Sequence, residues 1–267
     1  MEYVSCLGMV LSVIGLLSLG ASGPGYRWGC WGYKTGITFV KYAGFLSLAG
    51  VVVCLIGLAL WHWEVAPQEW THALIGLVIG GCVLGVTLKW KYTLDSLPYI
   101  HDITTDTENP PVFVAVLPLR AGAENPAEYG GPEIAKQQHD AYPDLKPGSV
   151  SGPPAAVFPR ALQAAKDMGW KIVDSDAQSL RIEATDTTCW FGFKDDIVVR
   201  LTPSPMGSRI DVRSVSRVGK SDLGTNARRI RAYLARVTSG ERPESTSPVE
   251  VVPEPGVREV SESDGSE

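Results

Sequence analysis

Three stretches of the chain hold no Asp, Glu, Lys or Arg: residues 3–22, 42–61 and about 72–88. A helix rises about 1.5 Å per residue, so about 20 apolar residues cross a hydrocarbon core of about 30 Å, with a lower limit near 17. Two stretches reach that length and the third just does. A backbone in lipid must satisfy its own N–H and C=O groups, which predicts three membrane-spanning helices rather than strands. Trp28, Trp31, Trp61, Trp63, Trp70 and Trp90 all flank these stretches, where interfacial anchors belong. Glycines recur inside them at helix-packing spacings, such as Gly8 with Gly15, Gly50 with Gly57, and Gly76 with Gly80, so the three spans are expected to pack on one another. No ionisable side chain except His72, at an edge, lies in a span, which argues against a proton relay or transporter. A cleaved signal fits poorly, because the basic leader such a segment needs is replaced by Glu2.

The mean hydropathy of +0.04 hides this division. Residues 1–94 carry 5 basic and 3 acidic side chains, residues 95–238 carry 17 and 18, and residues 239–267 carry 2 and 8. The chain is thus expected to comprise a three-span region (1–94), a juxtamembrane segment and loop (95–153), an α+β core (154–238) and a disordered acidic tail (239–267). No bulk positive charge supports nucleic-acid binding. The five cysteines lack paired spacing and imply neither a disulfide framework nor a metal site.

Within the polar part, residues 112–117 read as a short strand and 132–142 as a short helix. Phe158, Leu162 and Ala165 mark a helix of about 14 residues that tolerates Pro159 in its first turn and stops at Gly169. Strands follow at 170–174, 179–186, 194–202 and 208–217, with Leu180, Ile182 and Ala184 inward and Arg181, Glu183 and Thr185 outward. Pairing 202 with 209 sets Leu201 against Ile210, Val199 against Val212 and Arg200 against Asp211, an apolar face backed by an opposite-charge pair. A last helix capped by Ser221 or Asp222 carries Leu223, Ala227, Ile230, Leu234 and Val237 inward, with Arg228, Arg229, Arg231 and Arg236 on its other faces. The expected fold is three transmembrane helices followed by a two-layer α+β domain, an antiparallel sheet of about four to five strands with two helices.

The blocks IHDITTDTENPPVF, AKQQHDAYPDLKP, MGWKIV, IEATDTTCWFGFKDDIVVRLTP and GSRIDVRSVSRVGKSDLGTNARRIRAYL resemble the family known as domain of unknown function 1499, over roughly residues 95–238. The preceding spans look like its membrane-anchored bacterial version, which implies an inner-membrane protein. The resemblance brings no activity, cofactor or catalytic residue. Relatives that look like lipoproteins or lumenal plastid proteins imply an extracytoplasmic domain. Five basic residues on the domain side of the spans (Arg27, Lys34, Lys41, Lys89 and Lys91) instead favour a cytoplasmic one.

Three constellations are candidates for chemistry. In an extended segment Asp102, Thr104 and Asp106 share a face, with His101 opposite and Thr105 between, a set suited to a hard cation or a substrate, or to capping turns. Arg217, Lys220, Ser221 and Asn226 gather at the start of the last helix, where free N–H groups and cations attract a phosphate or lipid headgroup; an ordinary capped helix is the alternative. Trp190, Phe191 and Phe193 either line a cavity between sheet and helix for an apolar ligand or belong to the core. No nucleophile elbow, zinc-protease, Walker A or paired-cysteine motif is present. The leading expectation is therefore a domain that binds a membrane or envelope protein partner, or an amphiphilic or anionic ligand, beside the lipid bilayer, without catalysis, cofactor or metal. The alternative is a membrane-bound hydrolase or metal-dependent enzyme using His101, Asp102 and Asp106.

Overall fold

The computed structural model describes residues 3–60 and 67–239. The expected disordered tail beyond Ser239, and the anchors Trp61 and Trp63, lie outside the described residues. Three helices, α1 (Val4–Arg27), α2 (Tyr33–Ala59) and α3 (Pro67–Ser96), are long and apolar enough to cross a membrane. They pack through small side chains. Ser5, Gly8, Ser12 and Gly15 of α1 are buried against Ala43, Ser47, Gly50 and Cys54 of α2. A methyl group added to Gly8 would stand 2.8 Å from the Cys54 nitrogen and 2.9 Å from the Gly50 oxygen, so the backbones meet where side chains are missing. Gly76 and Gly80 of α3 join this seam, whereas Gly81 and Gly85 have nothing within 4 Å.

Beyond α3 lie β1 (Asp102–Thr104), a 3₁₀ turn (Leu117–Arg120), α4 (Pro132–Ala141), β2 (Gly148–Val150), α5 (Pro154–Asp167), β3 (Lys171–Asp176), β4 (Arg181–Thr187), β5 (Lys194–Ser204), β6 (Gly207–Ser216) and α6 (Thr225–Ser239). The six strands form one antiparallel sheet in the order β1-β6-β5-β4-β3, with β2 also paired to β6. The β5–β6 register is the expected one, with Leu201 opposite Ile210, Val199 opposite Val212 and Arg200 opposite Asp211. On the inner face Ile182, Ile197, Val199, Leu201, Ile210 and Val212 pack against α5 and α6. There Trp170 stacks on Tyr233 at 4.9 Å, and the Tyr233 hydroxyl donates to the Ala161 carbonyl at 3.0 Å.

Three local expectations need correction. Residues 112–117 form no strand: the N–H groups of Val114 and Val116 donate to the Glu183 carboxylate, both at 2.9 Å, instead of to a neighbouring strand. α5 starts at Pro154, so Pro159 sits inside the helix rather than in its first turn. α6 starts at Thr225, because Leu223 and Gly224 take positive φ angles of 52° and 72° and turn the chain before the helix begins.

The outward face of the sheet is not solvated. Residues 105–127 run across it, so Glu183, Thr185, Asp196, Asp211 and Arg213 are all buried. Phe113 and Val116 from that covering segment cluster with Val198 and Val215. Around them the buried charges pair: Asp196 with Arg120 and Arg217 at 2.7 and 2.8 Å, Arg213 with Asp102 at 2.7 Å, and Glu183 with Arg181 at 2.8 Å. Charges this deep are tolerated only when each is paired and hydrogen-bonded.

Candidate functional site

Asp102 and Asp106 do share the outer face, but neither carboxylate is free. Arg213 grips Asp102 through Nε and Nη2 at 2.9 and 2.7 Å. Asp106 accepts from Arg200 and Arg209 at 3.2 and 2.8 Å and from the Asn109 N–H at 2.9 Å. Thr105 continues the sheet edge, exchanging bonds with the Val212 backbone, and Thr104 bonds the backbone of Asp106. His101 is half-buried beside a cavity of about 120 Å³ that it shares with Asp102, Pro126, Glu128, Gly130 and Ile134. Burial lowers the pKa of its imidazole below the ordinary value, although Asp102 pulls the other way. The two aspartates and two threonines are occupied in joining β1, the covering segment and β6, whereas the buried His101 Nδ1 has no hydrogen-bond partner among the described residues.

The start of α6 is equally occupied. Arg217 spends Nε and Nη2 on Asp196, at 2.9 and 2.8 Å, and Nη1 on the Leu119 carbonyl. Asp222 caps the N–H groups of Gly224 and Asn226, filling with its own carboxylate the place where an anion was expected. Burial raises its carboxyl above the usual value. Ser221 accepts from Leu223, Lys220 is exposed, and buried Asn226 holds the His101 carbonyl and Ser216. Arg229 is not on a solvated face but buried between Asp186 and Asp195, at 2.8 and 2.6 Å.

The aromatic run lies somewhere else than expected. Residues 188–193 form the loop from β4 to β5, closed on itself by Thr188 N–H to the Phe193 carbonyl at 2.8 Å and Phe193 N–H to the Thr188 hydroxyl at 2.9 Å. This loop docks against the mouth of the α1–α2 hairpin. Phe193 stacks on Phe191 at 4.9 Å and meets Tyr26 and Tyr33 at 5.6 and 6.0 Å. The Trp190 indole N–H donates to the Ser22 hydroxyl at 3.2 Å, and Arg27 donates to the Cys189 carbonyl at 2.8 Å. Two glycines permit this approach: a methyl group on Gly23 would stand 2.5 Å from the Trp190 oxygen, and one on Gly36 would stand 2.9 Å from the Phe191 ring. A second grip comes from the covering segment, where Glu124 accepts from the Tyr33 hydroxyl at 2.6 Å and pairs with Lys34 at 3.4 Å.

Between helix and loop opens a cleft of about 280 Å³ lined by Tyr26, Arg27, Thr187, Phe191 and Gly192. Gly192, at φ +71°, has no side chain to displace the Arg27 stem, which a methyl group there would approach to 2.9 Å. Among the described residues Arg27 pairs with no carboxylate, unlike Arg120, Arg213, Arg217 and Arg229. Aromatic walls beside an uncompensated guanidinium suit a ligand with an apolar body and an anionic head. Tyr26, Arg27 and Glu124 were not among the expected site residues. The dense glycines and aromatics of GPGYRWGCWGYKTGI were the one available signal.

Residues 102–237 match the family model described as protein of unknown function (DUF1499). No curated protein matches the chain.

Proposed function

The chain belongs to that family, whose description names no activity, and we propose that it is a multi-pass inner-membrane protein whose α+β domain binds an anionic amphiphile at the membrane surface, without catalysis. The observation that carries the reading is the cleft beside Arg27, where a cation that has no carboxylate partner among the described residues meets aromatic side chains. Its position at the end of α1 favours a molecule that stays partly in the bilayer. The hydrolase alternative loses support because Asp102 and Asp106 are each neutralised by arginines.

The full-length protein, released by detergent from nanodiscs of equal phosphatidylglycerol and phosphatidylcholine, is expected to retain phosphatidylglycerol selectively in native mass spectrometry. Arg27→Gln keeps a donor for the Cys189 carbonyl but removes the charge. It should lower retained phosphatidylglycerol about tenfold, the equivalent of about 1.4 kcal/mol and typical of a charge-assisted hydrogen bond. Equal retention of both lipids by both proteins overturns the reading.

Three spans put the N-terminus and the domain on opposite sides. The positive-inside bias supports a cytoplasmic domain. A reporter fused at residue 238 that works only in the cytoplasm should then be active, and one that works only in the periplasm silent. The reverse result would place the domain with the extracytoplasmic relatives.

A further inference from the structure

The helices fix how deep the docked loop sits. On α2 the exposed Lys41 precedes an uncharged stretch from Tyr42 to Ala59, 18 residues or about 27 Å of helix, which matches a hydrocarbon core of about 30 Å. Lys89 and Trp90 of α3 stand at the same height. Trp90 and Val40 pack together on Leu19, Ala43 and Val83, and Gly44 faces Thr87. A ring of lysines and tryptophan at one height marks a membrane–water boundary.

From that boundary the heights of other groups follow. Gly36 lies five residues outward of Lys41, about 7.5 Å along the axis, and a methyl group on it would touch the Ser22 carbonyl at 2.6 Å. Ser22 is the residue that holds the Trp190 indole. The polar layer of a bilayer extends about 5–8 Å beyond the hydrocarbon. Trp190 is thus at headgroup height, 43% exposed, with its N–H engaged by the protein and its ring open to the surroundings. An amphipathic indole is the side chain most suited to that layer.

We propose that the β4–β5 loop, residues 188–193, is immersed in the lipid headgroup layer with Trp190 against phospholipid, so that the soluble domain holds the bilayer directly as well as through α3. This rests on the reading that the three helices span a membrane. Two native cysteines test the two ideas separately. Cys189 is exposed in the loop, and Cys82 is exposed on α3, seven residues or about 10 Å inward of Lys89. Full-length variants keeping only one of them, the other cysteines replaced by Ala, are labelled with a fluorophore and placed in nanodiscs with spin-labelled lipids. A Val112→Cys variant with all five native cysteines replaced by Ala reports a site over the middle of the sheet, 68% exposed and beside the segment bound by Glu183.

Headgroup-labelled lipid is expected to quench Cys189 at least about fivefold more than Val112→Cys, and mid-chain-labelled lipid to quench Cys82 at least about fivefold more than Cys189, given the height differences involved. Cys189 quenched no more than Val112→Cys, while Cys82 responds to the mid-chain label, overturns the immersed loop and leaves the spans standing. Failure of the mid-chain label to quench Cys82 overturns the spans and the inference together.

Discussion

Replacing Asp196 by Ala is expected to destabilise the domain by about 3–5 kcal/mol, the usual cost of stranding a buried charge, out of a total stability of about 5–15 kcal/mol. Asp196 is completely buried and serves four groups: Arg120 Nη1 at 2.7 Å, Arg217 Nε and Nη2 at 2.9 and 2.8 Å, and the Thr185 hydroxyl at 2.7 Å. Truncation leaves two guanidiniums, one of them as deeply buried as the carboxylate, without a counter-charge. Thermal unfolding of the detergent-solubilised protein should show the loss as a fall of about 10 °C or more. A fall of only a degree or two would mean that water reaches the pair and that the covering segment does not seal the outer face.

The same carboxylate gives the domain a defined acid response. Burial alone would raise the Asp196 carboxyl, but the hydrogen bonds from Arg217, Thr185 and Arg120 outweigh it and hold it below its ordinary value of 3.8. A group with a depressed folded value contributes stability that is present above pH 3.8 and lost as pH falls through the lower folded value. The acid-unfolding limb of the wild type should therefore contain a proton uptake in that range that Asp196→Ala lacks.

Much of the architecture is legible from local pattern. Uncharged runs locate α1, α2 and α3, and side-chain alternation sets the β5–β6 register residue by residue. The outer face is illegible for a physical reason. Glu183, Thr185, Asp196 and Arg213 occupy alternate strand positions, and a polar residue in such a position ordinarily faces water. What buries them arrives from far along the chain: Asp102 is 111 residues from Arg213, and Arg120 is 76 from Asp196. Neither separation has a period, and a charge pair across it leaves no mark in composition. Residues 112–117 mislead in the opposite sense, having a strand's composition but bonding a side-chain carboxylate. The candidate cleft is hidden likewise, because it forms where Gly23 and Gly36 lack side chains and a loop from beyond residue 187 fills the space.

Glu183 ties to the sheet a covering segment whose Glu124 in turn reaches the head of α2, which makes Glu183→Leu the more informative substitution for function. Its carboxylate is fully buried, accepts from the N–H groups of Val114 and Val116, and forms an ion pair with Arg181 at 2.8 Å. Leucine fills a similar volume but leaves the two N–H groups unmatched, at about 1–3 kcal/mol for each unsatisfied group, while Arg181 keeps its pairing with Asp174 at 3.2 Å. Glu183→Gln keeps a carbonyl for one N–H and should lose about half as much. The segment that loosens also carries Arg120, which is buried, and Glu124, which holds Tyr33 and Lys34 at the head of α2. Limited trypsin digestion reads this directly. The Arg120–Ala121 bond should resist cleavage in the native protein and be cut at least about tenfold faster in Glu183→Leu, since each 1.4 kcal/mol taken from local closure raises the open population tenfold when opening is fast relative to cleavage. If cleavage at Arg120 is unchanged while the protein is destabilised, Glu183 supports the sheet alone, and the covering segment and its grip on α2 are held by Asp102, Asp106 and Asp196.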